Sequence, residues 1–450
     1  MDPSEKTIPR RDFMRAAVAI GGMSALSACM DRTQSDGDGN GGGGGPGGEG
    51  EPKFPRGPED LSTLPEEQHK WGKYVVKDPR GSPVFPQHQV VLNFEYVGEF
   101  PPTEAEREQV ESAFRTLERA YQRGTGGNRS NVINRGLLFQ FGYSPSYFQR
   151  YDESLPSSVE LHCPEAVLDA LGDDTGKARN YDAAMLFGSD EAEIVLSVEE
   201  MLKGNLDTIN GVEVEGTFEG VFEVADRVAG FIGRGLPHEK INDTIPEESP
   251  LSMGFKSAFP DALPSEDKMT IEEGPFAGGT TQILSRLELD LESWYDHDHA
   301  SRINAMYGPD YDEEDVGVVG DMLGGDSGIT EEKVAKLEDD AREKGVVGHS
   351  QKTAQARDDD FDPVILRRGE FLQDNGDGNA LMNFGAVHRG TSDFIETRKA
   401  MQRIGPEDGD QPEVDPDKDG IVNYITVVER TTFLDPPRSQ RALPTPTGVP

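Results

Sequence analysis

Cysteine is almost absent: the 450 residues include two, Cys29 and Cys163. With Cys29 used at the N-terminus as argued below, no intrachain disulfide and no cysteine-based metal site remain possible. Basic residues are also few, 44 Lys and Arg against 84 Asp and Glu, a net charge of −40. Such a field repels phosphate backbones and anionic headgroups, which excludes nucleic-acid binding and polybasic membrane contact. Apolar residues make up only 34%. Low hydrophobicity with high net charge marks disordered chains. The other reading is a folded, salt-adapted protein whose carboxylate-rich surface is screened at high ionic strength. The length allows two or three domains.

The N-terminus reads as an address. Arg10 and Arg11 precede the apolar run 16–26, the pattern of a twin-arginine (Tat) export signal. Eleven residues are too few for a membrane helix, which needs about 20. The run ends in Leu26-Ser27-Ala28-Cys29, a lipoprotein cleavage box, so residues 1–28 are expected to be removed and Cys29 lipidated. A soluble export signal with a chance cysteine is the competing reading. Residues 29–56 are expected to be a flexible tether, because ten of the fourteen residues 37–50 are glycine. Membrane contact is then limited to the lipid anchor and the Tat translocase is a transient partner. The mature chain sits on the outer face of the cytoplasmic membrane or is secreted.

The body is periodic, which argues against disorder. A β-rich run at 90–97 leads to Thr103, which caps a helix with Val110, Phe114, Leu117 and Tyr121 on one face. Strands follow at 136–143 and 183–187, then a helix over 190–203 and a strand over 217–224. The order repeats: strand 280–289, helix 291–306, strands 364–371 and 380–387 joined by a turn at 374–379, helix 392–404 and strand 421–428. Strand, helix, strand, strand, helix, strand, twice over, predicts an α+β protein of two ferredoxin-like (βαββαβ) units, residues 85–250 and 251–437, with facing antiparallel sheets. The acidic, glycine-rich insert 307–348 is expected to carry one helix, opened by Thr330, and to be mostly a solvated surface elaboration.

Five of the eight histidines (His69, His88, His162, His238 and His388) are isolated and read as structural or exposed. Asp296-His297-Asp298-His299 suggests a metal cluster, but alternate residues of a helix lie on different faces, so a solvated helix face is the better reading. Asp415, Asp417 and Asp419 open a calcium-loop pattern, Asp-x-Asp-x-Asp-Gly, but position 12 is Thr426 rather than a bidentate Glu, and an acidic turn competes. His349 precedes a strand containing Arg367 and Arg368. Neighbouring strand residues point to opposite faces, so one of the two can face a buried cavity. A purely structural His349 is the competing reading.

Several of these segments together resemble the dye-decolourising (DyP-type) haem peroxidases: the double ferredoxin-like order, Gly278-Gly279-Thr280-Thr281 running on to Trp294, Phe139-Gln140-Phe141-Gly142-Tyr143, the His349 segment, and Ile365-Leu366-Arg367-Arg368-Gly369. The resemblance spans nearly the whole body and implies the family's barrel-like fold. It implies haem b with His349 as proximal iron ligand, and Arg367 as the distal cation that aids O–O cleavage. Arg368 would point away or pair with a propionate. Hydrogen peroxide would be reduced, with two one-electron oxidations of an extracellular donor of unknown identity, from which Trp294 and surface tyrosines would pass electrons. One departure stands out. The family pattern Gly-Phe-x-Asp-Gly reads Gly254-Phe255-Lys256-Ser257-Ala258 here, with Ser257 in place of the acid–base Asp. Asp261, Glu266 and Asp267 are the nearby carboxylates that could substitute. The loss leaves two alternatives open: a haem- or iron-handling lipoprotein, and a cofactor-free binding lipoprotein on the same scaffold.

Overall fold

The computed structural model describes residues 52–128, 130–403 and 412–449. The export signal with Arg10 and Arg11, the lipidation residue Cys29 and the glycine run lie outside them. The tether ends earlier than expected. Phe54 is buried against Tyr121, and Arg56 donates to the backbone carbonyls of Asn210 and Gly211, because an aromatic residue beside an apolar helix gains more from packing than from solvation.

Eight long strands form the frame: β1 (His88–Tyr96), β2 (Leu138–Tyr143), β3 (Ala183–Ser189), β4 (Phe222–Phe231), β5 (Thr280–Leu289), β6 (Leu366–Asp374), β7 (Ala380–His388) and β8 (Ile425–Asp435). All pairings are antiparallel. The first half has the order β4-β1-β3-β2 and the second β6-β7-β5-β8, the arrangement of a split βαβ unit in each. The two sheets close into one barrel through a single residue pair at each edge, Leu434 with Tyr143 and Leu372 with Phe231.

The helices follow from local chemistry. Thr103 accepts from the Glu106 amide while the Glu106 carboxylate accepts from the Thr103 amide, a capping box that starts α1 (Glu104–Ala120). Its Val110, Phe114 and Leu117, with Ile194, Val198 and Met201 of α2 (Ala192–Leu202), cover the outer face of the first sheet. There they meet Val90, Leu92, Phe94, Phe139 and Phe141. The intervening strand residues Val91, Leu138, Leu186, Val228, Phe371 and Phe433 fill the barrel interior. Two-sided burial explains why these strands read as continuous apolar runs.

Three expectations are corrected. The strand placed at 217–224 begins at Phe222, because Gly220 adopts φ 74° and turns the chain first. The single helix placed at 291–306 is two, α3 (Leu291–Tyr295) and α4 (His299–Tyr307). Asp298 caps the second by accepting from the Ser301 amide, so Asp296–His299 is a junction rather than a helix face. The insert 307–348 is not mostly solvated: Tyr307, Tyr311, Val316, Leu323 and Ile329 join the second-half core, and Leu337 and Ala341 of α5 (Leu337–Lys344) are buried beside Val347.

Candidate functional site

A cavity of about 260 Å³ lies against the outer face of the second sheet. Its floor comes from Leu287, Met382 and Phe384, and its walls include α6 (His349–Thr353), α7 (Thr391–Met401) and the segment 251–263. Most of the lining is apolar. The charged residues among the lining are Lys256, Arg357, Arg367, Arg398, Arg430 and one carboxylate, Glu370. In a chain of net charge −40, this is a local inversion of sign.

His349 is held from several sides. Gly348 approaches the Tyr307–Gly308 backbone so closely that a Cβ there would sit 2.3 Å from the Gly308 nitrogen, so only glycine fits. Gln351 accepts from the Gly348 amide at 2.9 Å and donates to Asp340 at 2.9 Å. Lys352 is 1% exposed and donates to the Asp419 carbonyl at 2.7 Å and its carboxylate at 3.0 Å. His349 makes no side-chain hydrogen bond among the described residues. Its imidazole opens on the cavity, and burial, with Lys352, Arg367 and Arg398 nearby, pushes its pKa down to about 3. The ring is therefore neutral, the form that binds a metal.

Strand β6 carries Arg367 to the cavity and turns Arg368 away. Arg368 is buried on the other side, donating to the His69 carbonyl at 2.8 Å and to Glu266. The expectation that it holds a cofactor is corrected: its guanidinium is already spent on Glu266. The register of β6 against β7 slips between Arg367 and Gly369, leaving Arg368 as the extra residue of a β-bulge. Without the slip, Arg367 and Glu370 would face opposite ways; with it, both line the cavity. A second bulge, between Val427 and Glu429 of β8, brings Arg430 to the same face as Ile425.

Ser257 lines the cavity and donates to the Glu370 carboxylate at 2.6 Å; the other Glu370 oxygen is 3.8 Å from an Arg367 nitrogen. The neighbouring Lys256 turns its ammonium to Asp78 at 3.2 Å, and its amide donates to the Val319 carbonyl at 2.8 Å, so the insert braces this segment. Ala258 takes φ 60°, a left-handed conformation that a Cβ disfavours.

The other candidate carboxylates stay out. Asp261 is exposed on a short helix and its amide donates to the Gly325 carbonyl at 2.8 Å; Asp267 pairs with Lys70. The calcium expectation is not supported. Asp415 caps a turn by accepting from the Asp417 amide, Asp417 lies near His297, and Asp419 faces the Lys352 ammonium, which repels a cation. Among the described residues, no cluster of three or more His, Cys, Asp or Glu side chains is placed to hold a metal. Trp294 is a core residue, its indole donating to the Met253 carbonyl at 2.9 Å.

Glu370, Arg398 and Arg430 were not legible as site residues. Strict alternation puts Glu370 opposite Arg367, and only Gly369, a residue type that often marks a bulge, signals otherwise.

In structure the chain is similar to dye-decolourising peroxidases. A dye-decolourising peroxidase from Bacteroides thetaiotaomicron is 13% identical with a TM-score of 0.48, over 82% of this chain and 97% of that one. The DyPB protein of Rhodococcus jostii is 15% identical with a TM-score of 0.49, over 81% and 97%. The encapsulated DyP-type peroxidase of Mycobacterium smegmatis is 14% identical with a TM-score of 0.49, over 83% and 99%. No curated protein matches the sequence. Residues 86–437 match the model of a family described as a family of unknown function, DUF7405, and the chain belongs to that family.

Proposed function

We propose that this chain is a haem protein that reduces hydrogen peroxide at the expense of an external electron donor. The observation that carries the reading is the pairing of a neutral imidazole, His349, which has no hydrogen-bond partner among the described residues, with a cationic Arg367 on the walls of one apolar cavity.

The residues present fit haem. A flat apolar macrocycle with two carboxylates needs an apolar slot, cations for its acidic edge and a ligand for its iron. Leu287, Met382 and Phe384 supply the first, Arg357 and Arg398 the second, His349 the third. When bound, the group supplies the redox chemistry. The chain's own residues bind and orient it, exclude water with the apolar walls, and set charge beside the peroxide. Arg367 carries a permanent positive charge and favours the peroxide anion over the neutral molecule. Export by the twin-arginine route and anchoring through Cys29 belong to the same reading and place the donor outside the cell.

The test is reconstitution of the purified chain with haem. A Soret band is expected in the wild type and is lost in His349→Ala; hydrogen peroxide then oxidises a dye in the wild type and not in Arg367→Ala, which keeps the band. A wild type without a Soret band overturns the proposal.

A further inference from the structure

We infer that Glu370 is the proton-accepting side chain of the cavity, doing from strand β6 what a carboxylate at position 257 would do. The inference rests on the haem-peroxide reading above and names the residue that this reading lacked. Three observations converge on it. Glu370 is the one carboxylate among the cavity-lining residues, and it is 5% exposed. It reaches the cavity only through the bulge at Arg368, a local irregularity that re-aims its side chain. Its two oxygens have different neighbours: one accepts from Ser257 at 2.6 Å, the other lies 3.8 Å from an Arg367 nitrogen, too far for a direct hydrogen bond.

The chemistry is a single proton transfer. Hydrogen peroxide entering the cavity gives one proton to the Glu370 carboxylate and becomes the hydroperoxide anion; the guanidinium of Arg367 holds that anion's charge. No electron moves and no bond other than O–H breaks. The Ser257 hydroxyl cannot accept this proton near neutral pH. It positions Glu370 by donating to one oxygen.

Cyanide tests this without turnover, because hydrogen cyanide must also lose a proton to bind as an anion. The haem-reconstituted chain is mixed with cyanide over pH 5–9, and the binding rate is followed at the Soret band. Glu370→Gln should slow binding at least tenfold at pH 7. Its haem affinity and far-ultraviolet dichroism should match the wild type. Ser257→Ala should slow binding less than Glu370→Gln does, since the carboxylate stays and loses only the hydrogen bond that positions it. The double variant Ser257→Asp with Glu370→Gln should regain most of the rate, because a carboxylate is restored from the other wall. If Glu370→Gln keeps the wild-type rate, the inference is overturned while the haem reading stands. A wild type with no Soret band overturns both.

Discussion

Arg368 and Glu266 form an ion pair behind the strand that carries Arg367, and the same Glu266 oxygen accepts the backbone amides of Trp71 and Gly72 at 2.7 Å. One carboxylate thus ties the N-terminal segment to the back of the cavity wall. Removing it strands a buried guanidinium whose pKa burial already lowers to about 10. Glu266→Ala is expected to cost about 3 kcal/mol in urea unfolding. Glu266→Gln should cost less, since its amide oxygen still accepts from both N–H groups.

Buried histidines set an acid limit. His69 and His388 are held at about 3 by burial, against an ordinary value of 6.5. Their folded forms refuse protons that the unfolded chain takes up. Their contribution to stability is therefore complete above about pH 6.5 and is lost as pH falls towards 3. Each adds a slope of about 1.4 kcal/mol per pH unit inside that window. Urea midpoints at pH 7, 6 and 5 should fall progressively, and His388→Gln should flatten the fall by about one proton.

Ala258, next to Ser257, holds a left-handed backbone that costs a non-glycine residue about 1–2 kcal/mol. Glycine relieves that strain but frees the unfolded chain by about 0.4–1 kcal/mol. Ala258→Gly is expected to raise stability by about 0.5–1 kcal/mol, measured by the urea midpoint. A loss of stability would show that the Ala258 methyl, buried in the barrel-side core, contributes more than the strain costs.

Arg398 has no carboxylate within salt-bridge distance among the described residues, and its guanidinium donates to the Met401 sulfur at 4.0 Å. Burial lowers its pKa. A cation left in this state costs free energy until an anion arrives. Arg398→Gln is expected to leave the melting temperature unchanged or raised, and to weaken haem binding about tenfold in a Soret titration. Equal affinity in both proteins would remove Arg398 from the proposed propionate contacts.

The order of elements was legible because each half repeats one hydrophobic pattern, and because strands buried on both faces read as unbroken apolar runs. Alternation said only that one of Arg367 and Arg368 can face a cavity; Arg367 and Ser257 were singled out by the resemblance to dye-decolourising peroxidases. What escaped were features set by tertiary geometry. The bulge at Arg368 overrides the period of two that assigns Glu370 to the wrong face. Asp419 matches a calcium-loop position but is claimed by Lys352, 67 residues earlier in the chain. The acidic insert looked solvated because its charge hides Tyr307, Val316 and Ile329, whose burial needs the second-half core to exist first.

The barrel edges have a dynamic consequence. Each seam is one residue pair long, Leu434 with Tyr143 and Leu372 with Phe231, while every lining residue of the cavity belongs to 251–430. Parting the seams therefore separates the two halves like the covers of a book and leaves the lining of the site on one cover. Native-state hydrogen exchange should show this as a sub-global opening below the free energy of complete unfolding, with seam amides exchanging ahead of those in the centre of β5. A ligand in the cavity should slow exchange across β6 to β8 and leave β1 to β3 as they were.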